Sequence, residues 1–251
     1  MSASGWYVYG VVDAGRNPVP VDGIRLVAHG SLAAAVAEVD LAEFEDLETR
    51  LNDRAWIERK ALEHERVLSR LAEDGAVVPL RFGAIYDDVE DVASMLEERC
   101  EELAADLERV RGHVELGVKG FVERPRLEEV LAHERAATPA GSPGRGYLER
   151  RQAERDVAAE ARAVVAEAAR NTHERLLERS VAGTVSRPHS RELSGRPDEM
   201  FLNAAYLVPA RDDGLRGEVD ALGRAYAGLG LSFEVTGPWP PYSFVGTRES
   251  T

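Results

Sequence analysis

Cysteine is nearly absent from this 251-residue chain, and the single copy, Cys100, excludes an internal disulfide. Cys100 sits in a helical pattern among Met95, Leu96 and Leu103, so it reads as a small buried apolar residue rather than a nucleophile. One thiol in a chain of this size suits a reducing compartment. Lysine is nearly absent too: Lys60 and Lys119 are the only two, and arginine supplies the other cations. That bias points to a GC-rich genome and says nothing of function. No apolar run approaches the ~20 residues that cross a bilayer. Met1 to Gly10 has neither a basic start nor a long apolar core, so a soluble, cytoplasmic protein with no membrane partner is expected. Basic excess is lacking as well. With 45 acidic against 31 basic residues the net charge is -14, which repels phosphate backbones and argues against nucleic acid as a partner.

The usual catalytic patterns are also missing. No two of the histidines at 29, 64, 113, 133, 173 and 189 stand four residues apart, the spacing that sets two ligands on one helix face. There is no G-x-S-x-G elbow. Gly141-Ser-Pro-Gly-Arg-Gly146 lacks the lysine of a phosphate-binding loop and reads as a connection before a helix. His64 lies on the apolar stripe of its helix and reads as a core histidine satisfied by one hydrogen bond. Acidic pairs such as Glu97-Glu98 sit on solvated helix faces. No catalytic residue, cofactor site or metal-ligand set is therefore assigned.

What is present is an alternation of strands and helices. Trp6 to Val12 is an apolar, aromatic strand, followed by strands at 24–29 and 32–39. Helices are expected over Asp53 to Glu73 and Asp88 to Arg109, each capped by its aspartate and carrying an apolar stripe. A strand over Val77 to Phe82 lies between them. From His113 the order is strand 113–122, a Pro/Gly-rich connection 124–146 with a short helix at 127–134, and helix 147–180. Strands 181–188 and 200–208, helix 213–228 and strand 231–236 follow. In the first of these strands Val114, Leu116 and Val118 point one way and Glu115, Gly117 and Lys119 the other. Met200 to Val208, apolar on both faces apart from Asn203, reads as a central strand. The order β-α-β-β-α-β is that of a ferredoxin-like unit. The fold expected is α+β in two domains, 1–110 and 111–251, the second ending in an aromatic, proline-rich tail. A protease-sensitive connection is expected between Pro139 and Gly146.

Two segments resist this grammar. In Val78-Pro-Leu-Arg-Phe-Gly83 a proline and Arg81 interrupt a strand that otherwise reads as buried, beside Phe82. A buried guanidinium needs a partner, so Arg81→Ala is expected to cost about 2–4 kcal/mol. In Gly237-Pro-Trp-Pro-Pro-Tyr-Ser-Phe244 the prolines and aromatics make a stiff tail. It reads either as a plug for its own domain or as a docking surface at Trp239, Tyr242 and Phe244. The outer face of the C-terminal sheet, around Phe201, Asn203 and Ala205, is the other candidate surface.

These segments carry a resemblance. Tyr7-Val-Tyr-Gly-Val-Val12, Val78 to Gly83, Glu115-Leu-Gly-Val-Lys119, Leu202-Asn-Ala-Ala-Tyr-Leu-Val208 and Gly237 to Phe244 stand in the order of the gas vesicle protein F/L family, and Trp56 and His64 also fit. The chain resembles that family from about residue 6 to 245. Leu116 departs from the aromatic that often follows the glutamate there. The resemblance implies an N-terminal α+β domain, a modified ferredoxin-like domain, and an accessory or minor structural role in gas vesicle assembly. The implied partners are the small hydrophobic shell protein and other accessory proteins. It brings no catalytic residues. Two other classes stay open at this point: a small-molecule enzyme with Arg81 as an anion clamp between the domains, and a ligand-sensing ferredoxin-like module.

Overall fold

The computed structural model describes residues 4–15, 23–44, 53–73, 75–137, 147–191, 195–211 and 213–246. The chain forms two compact units: residues 1–115 with 238–251, and residues 116–237. The boundary falls inside two strands. The tail, read from sequence as part of the second domain, belongs to the first unit. The connection expected at Pro139 to Gly146 lies outside the described residues.

In the first unit, β1 (Ser4–Asp13), β2 (Arg25–His29), β3 (Leu32–Asp40), β4 (Val78–Pro79) and β5 (Ile85–Tyr86) form one sheet in the order β2-β3-β1-β4, with β5 also on β1. β1 is apolar on both faces because both are covered. Val8 and Val11 pack with Val92, Leu96, Leu103 and Leu107; Tyr7, Tyr9 and Val12 pack with Val67, Leu68 and Leu71. Val8 and Val11, three apart, share a face because the register against β3 slips between Val8 and Gly10. Gly10 is required at that slip: a Cβ there would lie 2.8 Å from the Val78 carbonyl oxygen.

The helices follow local signals. In α1 (Arg54–Glu73), the Asp53 carboxylate accepts the N–H groups of Ala55 and Trp56, each at 3.1 Å. Asp88 caps α2 (Val89–Glu98) through the Asp91 N–H at 2.8 Å. The single helix expected to run to residue 109 is instead broken. Arg99, at φ -107° and ψ 16°, leaves the helical region before α3 (Cys100–Val110). The bend lets both halves lay their apolar stripes on the same core, with Cys100 half-buried against it.

The expected strand 77–82 is cut to two residues. Pro79 offers no N–H, and Leu80 donates to Tyr9 O at 2.9 Å as the chain turns away. Gly83, at φ 87°, and an Ala84 N–H bond to Arg81 O at 3.2 Å close a turn. That turn projects Arg81 and Phe82 outward.

In the second unit, β6 (His113–Val122), β7 (Ala182–Val185), β8 (Glu199–Pro209) and β9 (Leu231–Trp239) run in the order β7-β8-β6-β9. This is the strand order of a ferredoxin-like sheet, with β8 internal as its sequence suggested. α4 (Arg124–Ala137), α5 (Tyr147–Leu177) and α6 (Gly214–Tyr226) complete the unit. Its helix-side core joins Val122, Leu127, Leu131, Ala161, Val165, Ala168 and Leu231. The mixed helix and antiparallel-sheet content makes the chain α+β.

Candidate functional site

Seven rings of the first unit, six aromatic side chains and the imidazole of His64, form one connected cluster, and four of them contact His64 directly. Tyr9 stacks on it at 5.5 Å and Tyr242 at 6.4 Å; Tyr7 and Phe82 meet it edge-on at 5.6 and 5.9 Å. Trp56 contacts Phe82 at 6.4 Å and Phe44 at 5.7 Å. The parts come from distant stretches: β1, α1, the 81–84 turn and the tail. Helical spacing brings Trp56, Lys60 and His64 to one side of α1, where Lys60 sits 5.8 Å from the Phe44 ring.

A polar chain fixes the centre. Gly83 N–H donates to the Tyr7 hydroxyl at 3.1 Å, and that hydroxyl is hydrogen-bonded to His64 Nδ1 at 2.8 Å. The other ring nitrogen, Nε2, is buried without a well-formed hydrogen bond. The Leu80 backbone offers it a loose contact only. Burial dominates and lowers the His64 pKa. Burial likewise pushes the Tyr7 phenol up to about 12, against the lowering effect of the Gly83 bond. His64 is thus a core residue with one good hydrogen bond, as its place on the apolar stripe suggested.

This neutral imidazole has a measurable consequence. The unfolded chain protonates it near pH 6.5, while the folded chain takes the proton only at lower pH. The unfolded state binds more protons in that window, so stability is lost as pH falls through it. Glu65 and Glu115, whose carboxyls burial raises, act in the opposite sense at lower pH. The stability difference between wild type and His64→Gln isolates the imidazole. In thermal unfolding it is expected to shrink from pH 7.5 to pH 5.5; a difference independent of pH means that His64 titrates normally.

The tail is held by three contacts. Glu115, on the opposite face of its strand from Val114, Leu116 and Val118 in the sequence pattern, is buried, and its carboxylate accepts both the N–H and the O–H of Ser243 at 2.8 Å. Arg109 donates to the Phe244 carbonyl at 2.8 Å. Buried Asp106 accepts from Gly246 N–H at 2.8 Å and from Arg109 at 2.6 Å. The tail is therefore a plug and a surface at once: Phe244 is only 7% exposed, while Trp239 and Tyr242 remain 42% and 38% exposed.

The other sequence candidates separate. Phe82, at 37% exposure, joins Tyr242 around His64. Arg81 is exposed, not buried, and among the described residues its guanidinium makes no ion pair. The costly loss expected from its removal is accordingly withdrawn. Arg81→Ala is expected to shift stability by less than about 0.5 kcal/mol in denaturant unfolding. Phe201 and Asn203 lie in the second unit and are half-buried rather than open. Phe201 packs against its core, edge-on to Phe233 at 5.8 Å and over Gly120. Asn203 donates to Arg187 O at 3.4 Å. Sequence reasoning missed Phe44 and Tyr9 as members of the cluster, and missed Asp106 and Arg109; aromatic alternation in β1 was the available signal for Tyr9.

Among the described residues there is no group of three potential metal ligands, and no helix is long and apolar enough to cross a membrane. The family described as "Gas vesicle synthesis protein GvpL/GvpF" matches residues 5–246. A gas vesicle protein L of a Streptomyces species is 36% identical, over 96% of this chain and 90% of that protein. A gas vesicle protein F of the same organism is 30% identical, over 95% and 98%. The crystal structure of GvpF from an Anabaena species superposes with a TM-score of 0.69 at 17% identity, covering 99% of this chain and 98% of that one. GvpF from Microcystis aeruginosa gives 0.67 at 19% identity, covering 96% and 98%. These two likenesses establish the fold.

Proposed function

The chain belongs to the gas vesicle synthesis protein GvpL/GvpF family and serves gas vesicle formation, and from that membership we propose a non-enzymatic assembly protein that binds the small hydrophobic shell protein directly. The observation that carries the reading is the pair of exposed rings, Phe82 and Tyr242, that flank His64, with Trp239 a further exposed aromatic of the tail. A very apolar shell subunit must be covered before assembly. Rigid aromatic side chains cover much area at little entropic cost. Their rings are already fixed by neighbours, so little ordering is needed on binding. The net charge of -14 keeps the carrier soluble while it offers such a surface. Other gas vesicle accessory proteins are further partners on this reading, and the cytoplasm and the vesicle are its places of action.

Co-purification with the tagged shell protein from vesicle-forming cells tests the proposal. Retention of the wild-type chain is expected. No association under gentle conditions, or normal vesicles in a strain lacking the gene, overturns it and favours the enzyme reading.

A further inference from the structure

The second unit carries an apolar patch of its own, at the outer edge of its sheet. Seven large apolar side chains are exposed among the described residues, and three of them, Leu177, Val181 and Val185, fall within one nine-residue stretch around β7. Val181 and Val185 are 59% and 53% exposed. β7 ends the sheet order, and its sequence, Ala-Gly-Thr-Val, has no charge and no proline, the devices that usually keep an edge from pairing.

The hydrogen-bond pattern shows which groups are available. β7 pairs antiparallel with β8, Ala182 opposite Leu207 and Thr184 opposite Ala205, and Ser186 N–H donates to Asn203 O at 2.8 Å. Residues 182, 184 and 186 therefore bond toward β8, and Gly183 and Val185 turn their N–H and C=O groups to the open edge. Among the described residues nothing pairs with them. Gly183 is flat by necessity, since a Cβ would meet the Tyr206 ring at 2.9 Å and Leu177 at 3.1 Å. Val185 shares that face, so Leu177, the glycine and the valine make one apolar strip beside the free backbone.

We propose that this edge receives an extended apolar segment with acidic flanks from a partner protein, added as a further strand. Arg179 and Arg187 bracket β7 and both are exposed. Arg187 has no carboxylate partner among the described residues, and Arg179 reaches Glu218 only at 4.0 Å, with Glu178 exposed beside it. The exposed arginines at both ends of the apolar edge make it locally positive against the acidic remainder of the chain, and that local charge selects an acidic segment. A second copy fits poorly: antiparallel self-pairing about Gly183 sets Arg179 of one copy against Arg187 of the other, like charges face to face.

The probe is a fluorescein-labelled peptide, Glu-Glu-Val-Thr-Val-Thr-Val-Glu-Glu, titrated with the full chain and read by anisotropy, beside a control with lysine flanks. Saturable binding of the acidic peptide is expected, at least tenfold tighter than the control. Val185→Pro removes an N–H that points to the open edge and leaves the β8 ladder intact, so it is expected to weaken binding tenfold or more with an unchanged thermal midpoint. Arg187→Glu, at an exposed position that folding does not need, is expected to invert the preference between the two peptides. Equal binding of both peptides, no binding of either, or binding untouched by both variants overturns the proposal. So does a wild-type dimer in sedimentation that Val185→Pro converts to monomer, which assigns the edge to a second copy.

Discussion

Cells that carry Phe82→Ala with Tyr242→Ala in place of the wild-type chain are expected to lose their gas vesicles while the protein still accumulates and folds. The two rings reach the surface from segments 160 residues apart in sequence and share His64 as their neighbour. Each keeps more than a third of its area exposed, 37% for Phe82 and 38% for Tyr242, so truncation removes limited core burial. Each truncation is expected to cost about 2–3 kcal/mol of stability, less than for a fully buried aromatic. A binding cost comes on top of it, because aromatic anchors at an interface are commonly worth 2 kcal/mol or more each, roughly 30-fold in affinity. Vesicle yield, scored by electron microscopy, is expected to fall at least tenfold, and the shell protein to be lost from co-purification. Leu62→Ser, on the outward side of α1 and well exposed, is the matched control and is expected to leave vesicles intact. Normal vesicles in the double variant would place the shell-binding surface elsewhere.

Phe244→Ala is expected to act through stability instead, costing about 3–5 kcal/mol in denaturant unfolding. Its ring is 7% exposed, against 42% for Trp239 five residues earlier. The loss also loosens its surroundings: the Phe244 carbonyl is a partner of Arg109, Ser243 is the partner of buried Glu115, and neighbouring Val245 packs against the sheet core. A buried carboxylate deprived of its donors is penalised further. A cost below about 1 kcal/mol means that the tail rests on the unit without contributing to it. Trp239→Ala, by contrast, is expected to cost well under half as much.

What the sequence made legible was local. Asp53 and Asp88 announce α1 and α2 because a cap needs only the next two or three residues. The internal place of β8 follows from its own run of apolar residues. What it hid depends on partners far along the chain. Glu115 looks like the polar half of an alternating strand until Ser243, 128 residues later, supplies two donors. Arg81 looks buried because strand-like neighbours precede it; the turn closed by Gly83 takes it out. The aromatic tail reads from sequence as a plug for its own, C-terminal domain or as a docking surface; Phe244 is buried, but in the first unit, since covalent neighbours need not be spatial ones.

The return of the tail to the first unit bears on how the protein is made. The first unit draws its final segment from residues 238–246, so it stays incomplete on the ribosome while the 116–237 unit is synthesised. At 5–20 residues per second those ~120 residues take roughly 6–24 seconds. Throughout that interval the slot for Phe244 is open and buried Glu115 has no donor from Ser243. A nascent chain in this state exposes apolar surface that the finished one covers, which makes it a natural client for a chaperone. It also dictates where a reporter can be fused: a bulky domain placed directly after Phe244 disturbs the amino-terminal half of the molecule.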